Sequence, residues 1–207
     1  MNSGFANPAQ TWDKRFSTED YIFGTEPNVW LAQHASFIKP SSHALAVADG
    51  EGRNSVWLAQ QGLHVDAFDI STAGVAKAKK LASELGAEVN FHLSSSEDWQ
   101  WQPAHYDLVA AIFIQFADPD ARRIMFEQMM ATLKPGGILI LQGYTPKQLD
   151  YKTGGPPLLS HLYTEEILRA AFADMDIIEL EFYEAILHEG TQHAGQSALV
   201  GMIAKKR

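Results

Sequence analysis

An apolar run at residues 44–48 ends in the tight turn Gly50-Glu51-Gly52, and a second apolar run at residues 64–68 ends in Asp69. The segment 54–61 between them has the composition of a short helix. A strand, a helix and a second strand of these lengths form a parallel β-α-β unit with a right-handed crossover. The chain is therefore expected to build a parallel sheet around this unit.

The same unit predicts what the sheet binds. Gly50 and Gly52 can adopt backbone angles that are closed to other residues, and they let a ligand approach the main chain. The helix that follows points free N–H groups and the positive end of its dipole at that ligand. Asp69, at the tip of the next strand, is placed to accept both hydroxyl groups of a ribose. Together these features indicate a nucleoside cofactor.

Strand and helix patterns alternate along the rest of the chain. Further strands are predicted at 88–93, 106–114, 137–142, 176–187 and 197–204, with helices at 72–85, 118–133 and 164–173. The last two strands are joined only by residues 188–195, so they pair antiparallel. We therefore predict an α/β fold in a single domain, 1–207: a doubly wound, mostly parallel seven-stranded sheet with one antiparallel strand.

Composition excludes several classes of function. The net charge of −9 argues against a surface that follows nucleic-acid phosphates. The chain has no cysteine, which excludes disulfides, thiolate nucleophiles and thiolate metal sites. No apolar run approaches the length of a membrane span, and residues 1–5 lack the basic and apolar regions of a signal peptide. A cytoplasmic location, with neither membrane nor nucleic acid as partner, is expected.

Several motifs resemble class I S-adenosylmethionine-dependent methyltransferases. They are the loop 50–54, Asp69, the strand residues 106–109, and Leu133-Lys134-Pro135-Gly136-Gly137. The Gly-x-Gly-Arg-Asn loop and the N-terminal segment 12–28 are more specifically similar to the tellurite-resistance-type small-molecule methyltransferases. The resemblance implies a Rossmann-like methyltransferase fold and S-adenosyl-L-methionine as cofactor. It also implies methyl transfer to a small acceptor such as a thiol, a selenol or a metalloid.

Three positions depart from the family pattern. Ala46 stands where the family usually has an acid, and Ala48 where it has a glycine. Residues Ser94-Ser95-Ser96 occupy the region in which the family often places an acid near the adenine amino group. These departures leave open a second hypothesis, a catalytically degenerate protein that binds S-adenosylmethionine or S-adenosylhomocysteine.

The resemblance and the strand ends together give the expected cofactor site. Asp69 is assigned to the ribose, Asp49 to the ammonium of the methionine part, and Arg15 to its carboxylate. The full set of expected cofactor-binding residues is Arg15, Tyr21, Gly24, Ala48, Asp49, Gly50, Gly52, Asp69, Ile70, Ser95, Ser96, Ile112 and Gln115.

Catalytic residues are harder to assign. Tyr151 and His193 are the two candidates for a general base; the alternative is that both are exposed loop residues. A metal site is not expected, because His188 and His193 with one acid lack a ligand spacing. We expect residues 144–163 to form a substrate lid and residues 1–40 an N-terminal cap. The protein is expected to be a monomer or a homodimer.

Two further pairs have ordinary structural interpretations. Glu51 and Arg53 can be explained as loop solvation and a surface pair. Trp30 and Phe37 are expected to pack the cap onto the domain.

Overall fold

A computed structural model describes residues 7–207, so the signal-peptide argument on residues 1–5 lies outside the described part. The helices are α1 (Pro8–Phe16), α2 (Val29–Gln33), α3 (Arg53–Gln60), α4 (Thr72–Glu84), α5 (Pro119–Thr132), α6 (Gln148–Tyr151) and α7 (Glu165–Ala171). Short 3-10 helices cover Ala35–Phe37 and Leu159–His161. The strands are β1 (His43–Val47), β2 (His64–Asp69), β3 (Val89–Leu93), β4 (Tyr106–Ile112), β5 (Leu133–Tyr144), β6 (Met175–Glu189) and β7 (His193–Lys206).

The seven strands form one sheet in the order β3-β2-β1-β4-β5-β7-β6. Strands β1 to β5 pair in parallel, whereas β7 runs antiparallel to both β5 and β6. The predicted mostly parallel sheet with one reversed strand is confirmed. The chain order reverses between β1 and β4, which places a ligand crevice at the carboxyl ends of these strands.

Local capping signals fix several helix starts. The Ser71 side chain accepts a hydrogen bond from the Gly74 N–H and begins α4, and Asp118 does the same for Ala121 at the start of α5. Pro119 occupies the first position of α5, where its missing N–H costs no hydrogen bond. These boundaries agree with the sequence.

The start of β5 and both strand ends at the β6–β7 turn were predicted wrongly. Strand β5 begins at Leu133 rather than at Gly137, and the intervening residues bulge out between the register pairs Tyr106–Leu133 and Leu108–Ile138. The predicted loop 188–195 is also too long. Strands β6 and β7 continue to Glu189 and from His193, so only three residues form the turn.

The hairpin is this long because its ends are not solvated. Leu187, Glu189 and His193 are all buried, which keeps the strands paired against the rest of the domain. At the turn, a Cβ on Gly190 would lie 2.3 Å from the Ile22 carbonyl oxygen, so the turn and the N-terminal segment are in direct contact. The sequence shows polar residues here, and only the tertiary contact reveals that they are covered.

The core lies on both faces of the sheet. The Trp30 ring occupies the space above Gly201, where a Cβ would come within 2.3 Å of it, and Phe37 packs against the same apolar cluster. The expectation that these two aromatic residues pack the cap onto the domain is confirmed. Within residues 7–207, no helix has both the length and the apolar character to cross a membrane.

Candidate functional site

The loop between β1 and α3 bends through three left-handed residues. Ala48 has φ +48°, Gly50 +62° and Gly52 +92°. Ala48 adopts a left-handed angle although it carries a Cβ, at a strain of about 1–2 kcal/mol. The loop therefore bends at residue 48 without a glycine there.

Asp69 is tied to that loop. Its Oδ2 accepts a hydrogen bond from the Gly50 N–H at 2.9 Å, and its Oδ1 accepts one from the Ser71 N–H at 2.9 Å. Burial raises the pKa of Asp69 to about 6, because these two bonds only partly offset the loss of water. The acid is thus held against the loop at the carboxyl end of β2, as a ribose-binding acid must be.

Asp49 faces the first turn of α3. Its carboxylate accepts hydrogen bonds from the Ser55 hydroxyl and, at 3.3 Å, from the Ser55 N–H. Burial raises the pKa of Asp49 to about 7, and the negative charge of Asp69 adds to the shift. A cation beside Asp49 would favour its charged form, which is consistent with the assignment to a ligand ammonium.

The interpretation of Glu51 and Arg53 as a surface pair is wrong. Both side chains are buried, and each pairs with a different partner. Glu51 accepts a hydrogen bond from Lys77 Nζ at 2.6 Å, and Arg53 donates to Glu189 at 2.7 Å. The partners are distant in sequence, so spacing could not reveal them.

The N-terminal helix α1 lies across residues 48–52, the loop between β1 and α3, which we call the cofactor loop. A Cβ on Gly50 would come within 3.2 Å of the Phe16 ring, and the Asp13 carboxylate accepts hydrogen bonds from the Ser71 hydroxyl and the Ala73 N–H. Tyr21 donates its hydroxyl hydrogen to the Lys77 carbonyl at 3.1 Å. Helix α1 and Tyr21 therefore close the loop from the side of α4.

Arg15 and Gly24 lie against the β6–β7 turn. Arg15 donates to Gln192 Oε1 at 3.2 Å, and its guanidinium lies 4.4 Å from the Trp12 ring centre. Burial lowers the pKa of Arg15. Gly24, with φ +76°, packs directly on Gly190. The N-terminal segment and the hairpin turn thus form one continuous cover.

On the expected adenine side, the serines have protein partners. The Ser95 hydroxyl bonds with Asp98, and the Ser96 carbonyl accepts from the Trp101 indole at 2.9 Å. Ile70 is partly exposed at the end of β2. The Trp99 indole N–H is buried with no partner among residues 7–207, stacked on Phe68. Residues 94–101 therefore fold into a compact turn beside Asp69.

Ile112 and Gln115 both make packing contacts at the carboxyl ends of the central strands. Ile112 is buried in the core cluster around Trp30. The Gln115 amide donates to the carbonyls of Tyr144 and His161 and accepts from the Tyr144 N–H. Gln115 therefore ties together both ends of the segment 144–163, the expected lid.

His193 is buried in a cluster of aromatic rings above the ends of β4 and β5. Its ring centre lies 4.4 Å from that of Phe23, 4.2 Å from Phe113 and 5.7 Å from Tyr144. Within the described part of the chain, His193 Nδ1 and the Tyr144 hydroxyl are buried without hydrogen-bond partners. We refer to Phe23, Phe113, Tyr144 and His193 as the aromatic cluster.

The charge state of His193 follows from its surroundings. Burial lowers the pKa of His193, and the positive charges of Arg53 and Arg15 lower it further, while Glu189 opposes the shift. The imidazole therefore favours its neutral form more strongly than a histidine in water does. His193 is not the exposed loop residue of the alternative interpretation.

Tyr151 lies elsewhere. Its hydroxyl donates to the exposed Glu184, which also pairs with Lys147. Tyr151 is at the end of α6, and this contact directs it toward the exposed side of β6. Of the two candidate bases, the structure brings only His193 into the aromatic cluster.

Three residues of the site were missed as site residues by the sequence analysis. Glu189 and Asn28 are buried and hydrogen-bonded to each other at 3.0 Å, and Phe113 adopts φ +55° directly after β4. The alternation of β6 carried a signal for Glu189, since it shares a face with the buried Leu187. Asn28 closes the segment 12–28 that resembles the family, but its spacing predicts no role, and Phe113 left no signal.

Comparison with known proteins supports the resemblance to methyltransferases found in the sequence. Residues 44–137 match the family described as "Methyltransferase domain". The ubiquinone biosynthesis O-methyltransferase of Xylella fastidiosa is 33% identical over 101 residues, which are 48% of this chain and 41% of that protein. The chain therefore spans well under half the length of this curated relative.

Two solved structures resemble nearly the whole chain. TehB from Haemophilus influenzae has a TM-score of 0.71 at 17% identity, covering 96% of this chain and 67% of that one. The N-methyltransferase NodS from Bradyrhizobium japonicum, in complex with S-adenosyl-L-homocysteine, has a TM-score of 0.72 at 11% identity, covering 96% and 97%. At such low identity these likenesses establish the fold.

Fold and sequence match agree: residues 44–137 match a methyltransferase domain family, and the seven-stranded sheet has the fold of known methyltransferase structures. The cofactor of class I methyltransferases is S-adenosylmethionine, and the similar NodS structure holds its product, S-adenosyl-L-homocysteine. The motifs at residues 12–28 and 50–54 resemble the tellurite-resistance-type enzymes, and TehB is similar in fold.

Proposed function

We propose that this protein transfers the methyl group of S-adenosylmethionine to a small-molecule acceptor, a thiol, a selenol, a metalloid or a similar nucleophile. The observation that carries this proposal is the position of Asp69, bonded to the Gly50 N–H at the carboxyl edge of the sheet. That contact joins the two signals of the sequence, the glycine loop and the acid, at one place.

The residues present fit the cofactor. Asp69 offers a carboxylate to the ribose, Asp49 offers one to the ammonium, and the start of α3 offers N–H groups. When bound, S-adenosylmethionine supplies an electrophilic methyl group on a sulfonium. The aromatic rings near the cofactor loop and the hairpin exclude water from such a group and can attract its positive charge.

The acceptor side is assigned to the aromatic cluster. Its apolar surfaces suit a soft, weakly hydrated nucleophile, and the neutral His193 can take the proton that the acceptor releases. A thiol or selenol needs less help from a base than an alcohol or amine does. Residues 144–163, held at both ends by Gln115, are proposed to close over the acceptor, with residues 7–40 as the cap on the cofactor.

Calorimetric titration tests the cofactor assignment. We expect heat of binding with S-adenosylmethionine and S-adenosylhomocysteine and none with NAD. Product formation from thiols, selenite and tellurite then distinguishes an enzyme from a degenerate binding protein, the hypothesis that Ala46 motivates. Absence of heat with both adenosyl ligands would refute the proposal as a whole.

The role of His193 gives a separate prediction. His193→Gln should lower kcat by about 100-fold with an acceptor that must lose a proton, because a positioned base contributes on this scale. The affinity for S-adenosylmethionine should stay within about twofold, since His193 belongs to the acceptor side. Stopped assays with separate titration of the cofactor measure both quantities.

His188→Gln is the matched control, because His188 lies on the same hairpin but is exposed. Its kcat should equal that of the unmodified protein. An unchanged kcat in His193→Gln, or an equal loss of cofactor affinity, would remove His193 from the role of base.

A further inference from the structure

A buried polar network joins three distant parts of the chain beside the site. Glu189, at the end of β6, accepts hydrogen bonds from Arg53 at 2.7 Å, from the Asn28 side chain at 3.0 Å and from the Val29 N–H at 3.2 Å. Glu189 and Arg53 are 7% and 6% exposed, and Asn28 is fully buried. A carboxylate in such a place is stable only because its partners satisfy it.

The partners of Glu189 are themselves tied to the cover of the site. Arg53 also donates to the Phe23 carbonyl at 3.1 Å, and the Asn28 N–H donates to Asn54 at 2.9 Å. The Asn28 amide reaches Gln142 on β5 at 2.6 Å. One carboxylate therefore connects the hairpin, the start of α3 and the N-terminal segment 22–29.

The same contacts determine what surrounds His193. The Phe23 ring packs against the imidazole at a tilt of 41°, and the Thr191 and Gln192 N–H groups at the hairpin turn both donate to the Ile22 carbonyl. The position of His193 at the start of β7 thus depends on the segment that Glu189 holds. On the side of the loop 50–52, Phe23 is held by two contacts: its N–H donates to Glu51 at 3.4 Å, and its carbonyl accepts from Arg53, which Glu189 orients.

We propose that Glu189 is a positioning residue, which acts through Arg53 and Asn28 to hold segment 22–29 closed on the hairpin and to fix His193 in the aromatic cluster. This inference rests on the proposed function only for its kinetic readout. The placement of segment 22–29 and the surroundings of His193 are measurable without cofactor or acceptor.

Four polar groups around His193 set the expected response. They are Glu189 on β6, Arg53 on α3, Arg15 on α1 and the Tyr144 hydroxyl on β5. Glu189 is the only negative charge among these four, and its Oε2 lies 3.7 Å from His193 Nδ1, beyond hydrogen-bond distance. The proximity of His193 and Arg53 overcomes the effect of burial and lowers the pKa of Glu189 to about 2. Removing this charge leaves His193 facing two cations.

The test compares Glu189→Gln with Glu181→Gln. Glutamine keeps the size of Glu189 but removes the charge that holds Arg53, while Glu181 lies on the same strand and is exposed. We expect amide hydrogen exchange in residues 22–29 to quicken by at least ~10-fold in Glu189→Gln, with the core strands unchanged. We expect the pKa of His193, followed by NMR, to fall, because a nearby negative charge is removed.

In Glu189→Gln we also expect a lower kcat, and the acid limb of its pH–rate profile should move toward lower pH.

If Glu189→Gln does not fold, Asn28→Ser replaces it. Serine keeps the cap oxygen of α2 and removes the amide that donates to Glu189 and Gln142, so faster exchange in residues 22–29 is again expected.

Two outcomes would overturn the inference: unchanged exchange in residues 22–29 with an unchanged His193 pKa, or exchange that quickens equally throughout the sheet. The second outcome would show that Glu189 and Arg53 stabilise the whole fold and do not specifically position segment 22–29 or His193. Loss of cofactor binding in the unmodified protein would instead refute the proposed function and leave the exchange result valid.

Discussion

Asp69→Ala will bind S-adenosylmethionine at least ~100-fold more weakly than the unmodified protein. A carboxylate that accepts both ribose hydroxyls contributes two charge-assisted hydrogen bonds, each of about 1.5–3 kcal/mol, and 1.4 kcal/mol corresponds to about tenfold in affinity. The substitution also releases the Gly50 N–H, which Asp69 now holds at 2.9 Å. Calorimetric titration measures the affinity directly.

Asp66→Ala serves as the control on the same strand. Asp66 accepts hydrogen bonds from Tyr106 and Asn90 on the far side of β2 from the loop, and its loss should leave the affinity unchanged. If Asp69→Ala binds as well as the unmodified protein does, the ribose assignment is wrong.

The raised pKa of Asp69 adds a pH dependence. The carboxyl has a pKa of about 6 in the folded protein, against an ordinary value of 3.8 for an aspartate in water, so folding takes up a proton between these values. The contribution of Asp69 to stability therefore increases as the pH falls from about 6 to about 4. Asp69→Asn should lose this component in urea unfolding measured across that range.

Gly52→Ala is expected to destabilise the fold by about 2–5 kcal/mol, combining left-handed backbone strain with overpacking. Gly52 has φ +92°, and a Cβ would lie 2.7 Å from both Cα and Cβ of Ala78 on α4. Backbone atoms of a packed helix cannot move aside easily, so the loop must shift instead. Cofactor binding should be lost along with stability.

Gly86→Ala separates the backbone strain from the overpacking against Ala78. Gly86 also has a positive φ, +63°, but a Cβ there would meet nothing within 4 Å. Only the strain of about 1 kcal/mol remains, and cofactor binding should be unaffected. Urea unfolding of both variants, with titration of the cofactor, measures the difference. Equal effects in the two would mean that contact with Ala78 contributes nothing.

Much of the fold could be predicted because its signals are local. The bounds of β2, the Ser71 cap of α4 and the Asp118 cap of α5 each depend on a few neighbouring residues. The reversed strand followed from the short connection to its neighbour. Its length did not follow, since the cover on Glu189 and His193 comes from residues about 160 positions earlier in the chain.

In the site too, contacts between residues close in sequence could be predicted, whereas contacts between distant residues could not. The glycine loop and Asp69 are joined by one β-α-β unit, so the sequence could place them together. The partners of Glu51 and Arg53 come from α4 and from the hairpin, and a chain read in order gives no sign of them. The burial of His193 depends on Phe23 of the N-terminal segment, on Phe113 directly after β4 and on Tyr144 of β5, which only the folded protein brings together.

The contact between Ile22 and the hairpin turn is expected to form late when the chain folds during synthesis. The Ile22 carbonyl accepts hydrogen bonds from residues 191 and 192, so this closure requires nearly the whole length of the chain. Contacts between such distant residues form late, because the chain entropy lost in closing the loop must be overcome first. A nascent chain can therefore assemble β1 to β5 and the cofactor loop on the ribosome, yet its cover is completed only after the hairpin has emerged.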